Sequence, residues 1–134
     1  MFLDSFLSFG LFFITAISVV VLFLFLYAMV TPYDDYKLIF EDNNTAAAVG
    51  FGGAIMGLSI PLYSALTHSV SYSDFVIWAV VAMLIQLLFA FIMTRTKGKY
   101  SVAKLIDKGI VSAGILMAFI SVSIGFINAG SMSY

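Results

Sequence analysis

The chain has 134 residues, of which 63% are hydrophobic and 10% charged, and its mean hydropathy is +1.12. An ordinary soluble domain carries about 25% charged residues, so this chain has too few polar side chains to cover a water-facing globule. It has no cysteine, which removes disulfides, thiol catalysis and thiolate metal sites. A net charge of −1 gives no reason to expect a nucleic-acid partner.

The charged residues are gathered into a few places: Asp4; Asp34, Asp35, Lys37, Glu41 and Asp42; Asp74; and Arg95, Lys97, Lys99, Lys104, Asp107 and Lys108. Between them lie uncharged stretches of at least 20 residues, each long enough for a helix to cross about 30 Å of hydrocarbon. The first predicted span covers 9–30. Its start, Met1-Phe2-Leu3-Asp4, has no cation and its apolar run is long, so it reads as a retained helix and not as a cleaved signal peptide. The connection 31–44 follows and reads as solvated, with the adjacent pairs Asp34-Asp35 and Glu41-Asp42. It ends on Asn43 and Asn44. Either Asn44 or Thr45 can cap the next helix, which explains one asparagine but not both. The second is a candidate interfacial site for a partner or an ion.

The second span, 45–66, carries small residues at three- and four-residue spacing: Gly50, Gly53 or Ala54, Gly57, Pro61 and Ser64. Pro61 removes one helix hydrogen bond, and with Gly57 it predicts a bend in the outer third. His68 lies in a short polar connection with no metal-binding neighbours. The third span, 75–94, is bulky, with Gln86 near its middle. An amide there needs a partner on a neighbouring helix or a place in a polar path. The basic connection 95–108 leads to the fourth span, 109–130. That span repeats the small-residue stripe as Gly114, Ala118, Ser121, Gly125 and Ala129, and has Asn128 toward its end. Small residues let backbones approach closely, so the stripes serve helix packing, self-association or a pore lining. They place the second and fourth helices at the centre and the bulky first and third outside.

The halves are similar in order. Ile14-Thr15-Ala16 matches Ile77-Trp78-Ala79, and Lys37-Leu38-Ile39 matches Lys104-Leu105-Ile106. Ser59-Ile60-Pro61-Leu62-Tyr63-Ser64-Ala65 matches Ser123-Ile124-Gly125-Phe126-Ile127-Asn128-Ala129. This predicts a single all-α membrane domain, 1–134, of two helical hairpins, 1–68 and 69–134, repeated in parallel about an axis along the membrane normal. All Lys and Arg lie in the first and third connections. The positive-inside rule therefore predicts cytoplasmic connections at 31–44 and 95–108 and both termini outside.

The segment Asn43-Asn44-Thr45-Ala46-Ala47-Ala48, running on to Gly57-Leu58-Ser59-Ile60-Pro61-Leu62-Tyr63-Ser64-Ala65, resembles the YjfL-type bacterial inner-membrane proteins. Thr31-Pro32, Trp78 and Gln86-Leu87 fit the same pattern. The resemblance implies a multipass protein of a bacterial cytoplasmic membrane, from a family of paired transmembrane helices with no assigned activity. It implies no catalytic residues. The residues themselves present no nucleophile–base set, phosphate-cradling loop or metal cluster, so neither an enzyme nor a cofactor is expected. The expected role is non-enzymatic, exercised in the lipid bilayer through homo-oligomers or through membrane or cytoplasmic partners. A subunit of a small oligomeric ion channel or transporter is the alternative.

Overall fold

The computed structural model describes residues 1–133. Helix α1 spans Phe2–Val30, starting seven residues before the predicted span 9–30. Asp4 lies in its first turn, where the positive end of the helix dipole favours an acid. A charge there marks a membrane edge without stopping a helix. α1 ends where Pro32 forces its predecessor out of the helical region: Thr31 is extended, with φ −71° and ψ 141°.

The first connection contains a π-helical turn, Lys37–Glu41, closed by Asp42 N–H donating to Lys37 O at 3.0 Å. α2 runs over Thr45–His68, capped by Asn44, whose side chain accepts from Ala47 N–H at 3.0 Å. His68 is thus the last residue of a helix and not part of a loop. α3, Tyr72–Thr94, starts on a reciprocal cap: Ser71 Oγ accepts from Asp74 N–H, and Asp74 accepts from Val70 N–H, both at 3.1 Å. One of the first free amides of α3, that of Asp74, and the amide just before the cap are satisfied in this way. The basic connection folds into a short helix, α4, Val102–Asp107, which the sequence pattern did not predict. Gly109, at φ +82°, then turns the chain into α5, Val111–Ser131. The left-handed conformation is why glycine stands there.

The four long helices, α1, α2, α3 and α5, are each long and apolar enough to cross a membrane. This is an all-α integral membrane protein. α2 is its centre: 56% of its most apolar stretch is buried, against 39% for α3, 28% for α5 and 11% for α1. The expected pairing of α2 with the fourth span as the inner helices is therefore only half right. α5 lays its small-residue stripe on α2, but Ile115, Leu116, Phe119, Phe126 and Ile127 on its other sides are exposed. α3 is covered more than α5, through Phe75, Ala79, Ala82, Met83, Gln86, Leu87 and Ala90. α1 is peripheral and packs mainly on α3. There the rings of Phe12 and Phe75 meet at a tilt with centres 5.3 Å apart, and Thr15 and Tyr72 share a hydrogen bond of 2.9 Å.

Candidate functional site

Two polar places stand out in this apolar bundle. The first is the seam where α2 and α5 cross. Both start at the end that carries the connections, so they run parallel, and their glycines bring backbone onto backbone. A Cβ added to Gly53 would lie 2.3 Å from Ala118 Cα, one on Gly114 would lie 2.3 Å from Ala46 O, and one on Gly125 would lie 2.3 Å from Gly57 O. Carbon contacts normally sit at about 3.5–4.0 Å. The stripes of both helices therefore face each other inside one chain. Gly50, with Met117 Sδ at 3.5 Å from its would-be Cβ, has ordinary room. Ala54 and Pro61 are buried on the same helix, and Ala118 and Ala129 are half-buried on α5.

Across this seam lies a small hydrogen-bond network. Gln86 Nε2 donates to Ser121 O at 3.2 Å, and Asn128 Nδ2 donates to Ala82 O at 3.2 Å and to Gln86 Oε1 at 3.5 Å. Gln86 and Asn128 stand on separate spans in the sequence; the structure brings them together, 5% and 7% exposed. Their partners are backbone carbonyls and each other, so the amides join α3 to α5. Pro61 does not interrupt α2, which continues to His68. It has no N–H to offer the carbonyl one turn back. That carbonyl, Gly57 O, is the atom against which Gly125 packs.

The second place is the end that carries the connections. Asn43 has φ +52°, a left-handed conformation that asparagine tolerates better than most residues. Asn44, besides capping α2, donates from Nδ2 to Ile106 O at 2.7 Å and so ties α2 to α4. The two asparagines thus have different structural reasons. A polar cleft of about 300 Å³ lies beside them, lined by Asn43, Asn44, Thr45, Asp107, Lys108 and Gly109. Nearby, Arg95 donates to Val30 O at 3.0 Å and stacks over Phe91, 4.4 Å from its ring centre. This cation suits the negative end of α1.

Asp35 corrects the sequence reading. The sequence sets it beside Asp34 as one solvated pair, yet Asp34 is exposed while Asp35 is 1% exposed. After the break at Thr31-Pro32, alternate residues turn inward: Thr31, Tyr33 and Asp35 are buried, and Pro32, Asp34 and Tyr36 are exposed. Thr31 Oγ1 hydrogen-bonds Asp35 Oδ2, and Tyr33 reaches Met117 Sδ at 3.8 Å. Burial pushes the Asp35 carboxyl up from 3.8 to about 6; the Thr31 hydroxyl pulls it down, the Asp34 charge pushes it up, and its own amide lowers it. The Tyr33 phenol is raised, first by burial and then by the Asp35 charge. Among the described residues, no group of three His, Asp or Glu side chains could hold a metal ion.

An all-helical bundle with four candidate spans and short connections defines a small multipass membrane protein. Residues 1–132 match the family described as Domain of Unknown Function (DUF350), and the chain belongs to that family. It is 36% identical over 132 residues to the UPF0719 inner membrane protein YjfL of Escherichia coli strain K12, covering 98% of each chain, and equally so to that of strain O157:H7. It is 25% identical over 117 residues to the UPF0719 transmembrane protein YshE of Bacillus subtilis strain 168, covering 87% of each. The resemblance read from Asn43 to Ala65 is therefore correct. No solved structure matches.

Proposed function

We propose that this protein acts without catalysis, as a subunit of a membrane assembly formed with copies of itself or with membrane or cytoplasmic partners. The observation that carries this reading is the closed seam. Backbone contact at Gly53, Gly57, Gly114 and Gly125 leaves no room for a path or a substrate between α2 and α5. A chain with a filled centre and short connections works through its outer surface. α1, only 11% buried, contributes least to the chain's own packing and is the surface freest to meet a neighbour. This moves the contact surface away from the stripes on α2 and α5, which are engaged within the chain.

The positive-inside rule supports an orientation with connections 31–44 and 95–108 in the cytoplasm of a bacterial cell and both termini outside. Because the chain has no cysteine, single cysteines at Ser5 and Lys99 test this with an impermeant thiol reagent on intact cells. Labelling of Lys99→Cys but not Ser5→Cys would reverse the topology.

Native mass measurement in mild detergent tests assembly. The expected result is a discrete oligomer or a reproducible complex; a strict monomer with no co-purifying chain overturns the reading. A channel or transporter subunit is the second reading, supported by the mid-span amides Gln86 and Asn128. With the seam closed, its path would run between copies. Ion-loaded liposomes decide it, since flux no greater than that of empty vesicles, over several ions and voltages, rejects it.

A further inference from the structure

The hydroxyl of Thr31 has too many acceptors around it. Besides Asp35 Oδ2, its Oγ1 lies 3.3 Å from Tyr33 O and 3.4 Å from Ala28 O. A hydroxyl has one proton to give, and backbone carbonyls only accept. If Asp35 were ionised, all three neighbours would be acceptors and two of the contacts would hold no proton. With a proton on Asp35 the chain closes: Oδ2–H donates to Thr31 Oγ1, and the Thr31 hydroxyl donates to a backbone carbonyl.

The surroundings point the same way. Asp35 is 1% exposed, and no neighbouring side chain offers its Oδ1 a donor. A buried carboxylate with no cation is costly, and among the described residues the ion pair formed is the exposed one between Lys37 and Asp42.

We propose that Asp35 is a proton-binding site, and that its neutral carboxyl holds residues 31–36 down on the bundle. When the proton passes to water, the carboxylate moves out to solvent as Asp34 already does, and this segment detaches. The groups facing it are few. Tyr27 comes from α1, and Tyr33 and Asp34 from its own segment. Arg95 at the end of α3 is engaged with Val30 O and Thr94 Oγ1. Lys104 and Asp107 of α4 line a cleft with Tyr33. α5 has no ionisable side chain, and α2 has only Tyr63 and His68 toward its far end.

The test uses the full chain in lipid nanodiscs with isotope-labelled aspartate. The infrared C=O band of a protonated carboxyl is followed from about pH 4 to about pH 9, around ordinary carboxylate and histidine values. Amide exchange at 31–36 is followed in parallel, against 95–108 as the reference for intrinsic pH dependence. The expected result is a band lost near neutrality, present in Asp34→Asn and absent in Asp35→Asn. Excess exchange at 31–36 should rise by up to about tenfold per pH unit between about pH 4 and about pH 6, where opening releases one proton, and level off above that. A wild-type protein whose aspartates are all ionised well below neutrality overturns the proposal, as does a band that persists in Asp35→Asn. If Asp35→Asn does not fold, the wild-type titration decides alone.

Discussion

Substituting Gly125 by alanine adds one methyl group at the tightest point of the seam, and the structure sets what that methyl meets. It would lie 2.3 Å from Gly57 O and 3.0 Å from Gly57 C and Cα. None of these atoms belongs to a side chain that could rotate away. A normal contact needs about 3.5 Å, so α5 must withdraw from α2 by about 1 Å, and Ser121 and Asn128 move with it. Overpacking of this kind costs about 1–3 kcal/mol. Loosening the Gln86–Ser121 and Asn128–Ala82 bonds adds up to about 0.6 kcal/mol each, the average for such bonds in a membrane. We expect a cost of about 1–4 kcal/mol, offset by up to about 1 kcal/mol from alanine's better helix propensity, read by denaturant unfolding in mixed micelles. Gly10→Ala is the control: it meets nothing within 4 Å, and replacing a helical glycine should stabilise by up to about 1 kcal/mol. If Gly125→Ala unfolds at the same denaturant as Gly10→Ala, the close α2–α5 approach is wrong.

Asp35 links stability to pH. Its carboxyl binds a proton more tightly in the folded chain, near 6, than at its ordinary 3.8. The stability it gives is therefore fully present below about pH 4 and lost as pH rises through about 6, by at most about 3 kcal/mol at 1.36 kcal/mol per pKa unit. Thermal unfolding of wild type and Asp35→Asn should converge at acid pH and diverge above neutrality, the variant being the more stable. Asn44→Ala removes a cap worth about 1 kcal/mol and one of the bonds to Ile106 O, which keeps the Gly109 N–H, so unfolding assays should show a loss of about 1.5–2.5 kcal/mol. Asn43→Gly should be tolerated and Asn43→Val should not, because φ is +52° there. A double-mutant cycle over Gln86→Leu and Asn128→Leu should give a coupling of about 0.6 kcal/mol and no more than about 1.7 kcal/mol; zero coupling would reject the contact.

The spans were legible because lipid demands long uncharged helices, and charge placement alone locates those. What failed were inferences from charge to local structure. Asp4 marked an edge that α1 crosses, and the basic stretch beyond Arg95 hid a helix, since α4 needs only one inward residue, Ile106, to dock. Asp34 and Asp35 look identical in sequence. Their fates diverge because the Thr31-Pro32 break sets which alternate residues turn inward, and only the pattern Thr31, Tyr33, Asp35 could have signalled it. Gln86 and Asn128 are 42 positions apart, so their meeting depends on how α3 and α5 cross, which no local pattern encodes.

The seam also bears on the internal repeat. Residues of α2 meet residues of α5 that stand 64 to 68 places further along, from Gly57 on Ser121 to Gly57 on Gly125 and Ala46 on Gly114. The repeat itself pairs Ser59 with Ser123, 64 places apart. Two parallel helices related by an axis along the membrane normal meet through their own equivalents, so this register supports duplication of a hairpin. The offset beyond 64 means the crossing is not symmetric, and position 61 of the first copy shows the consequence. Pro61 withholds its donor from Gly57 O, and the proposed repeat would align Gly125 with that proline. A ring at 125 would drive its Cβ to 2.3 Å from Gly57 O. The carbonyl that Pro61 leaves without its helix donor is the surface that obliges position 125 to carry glycine.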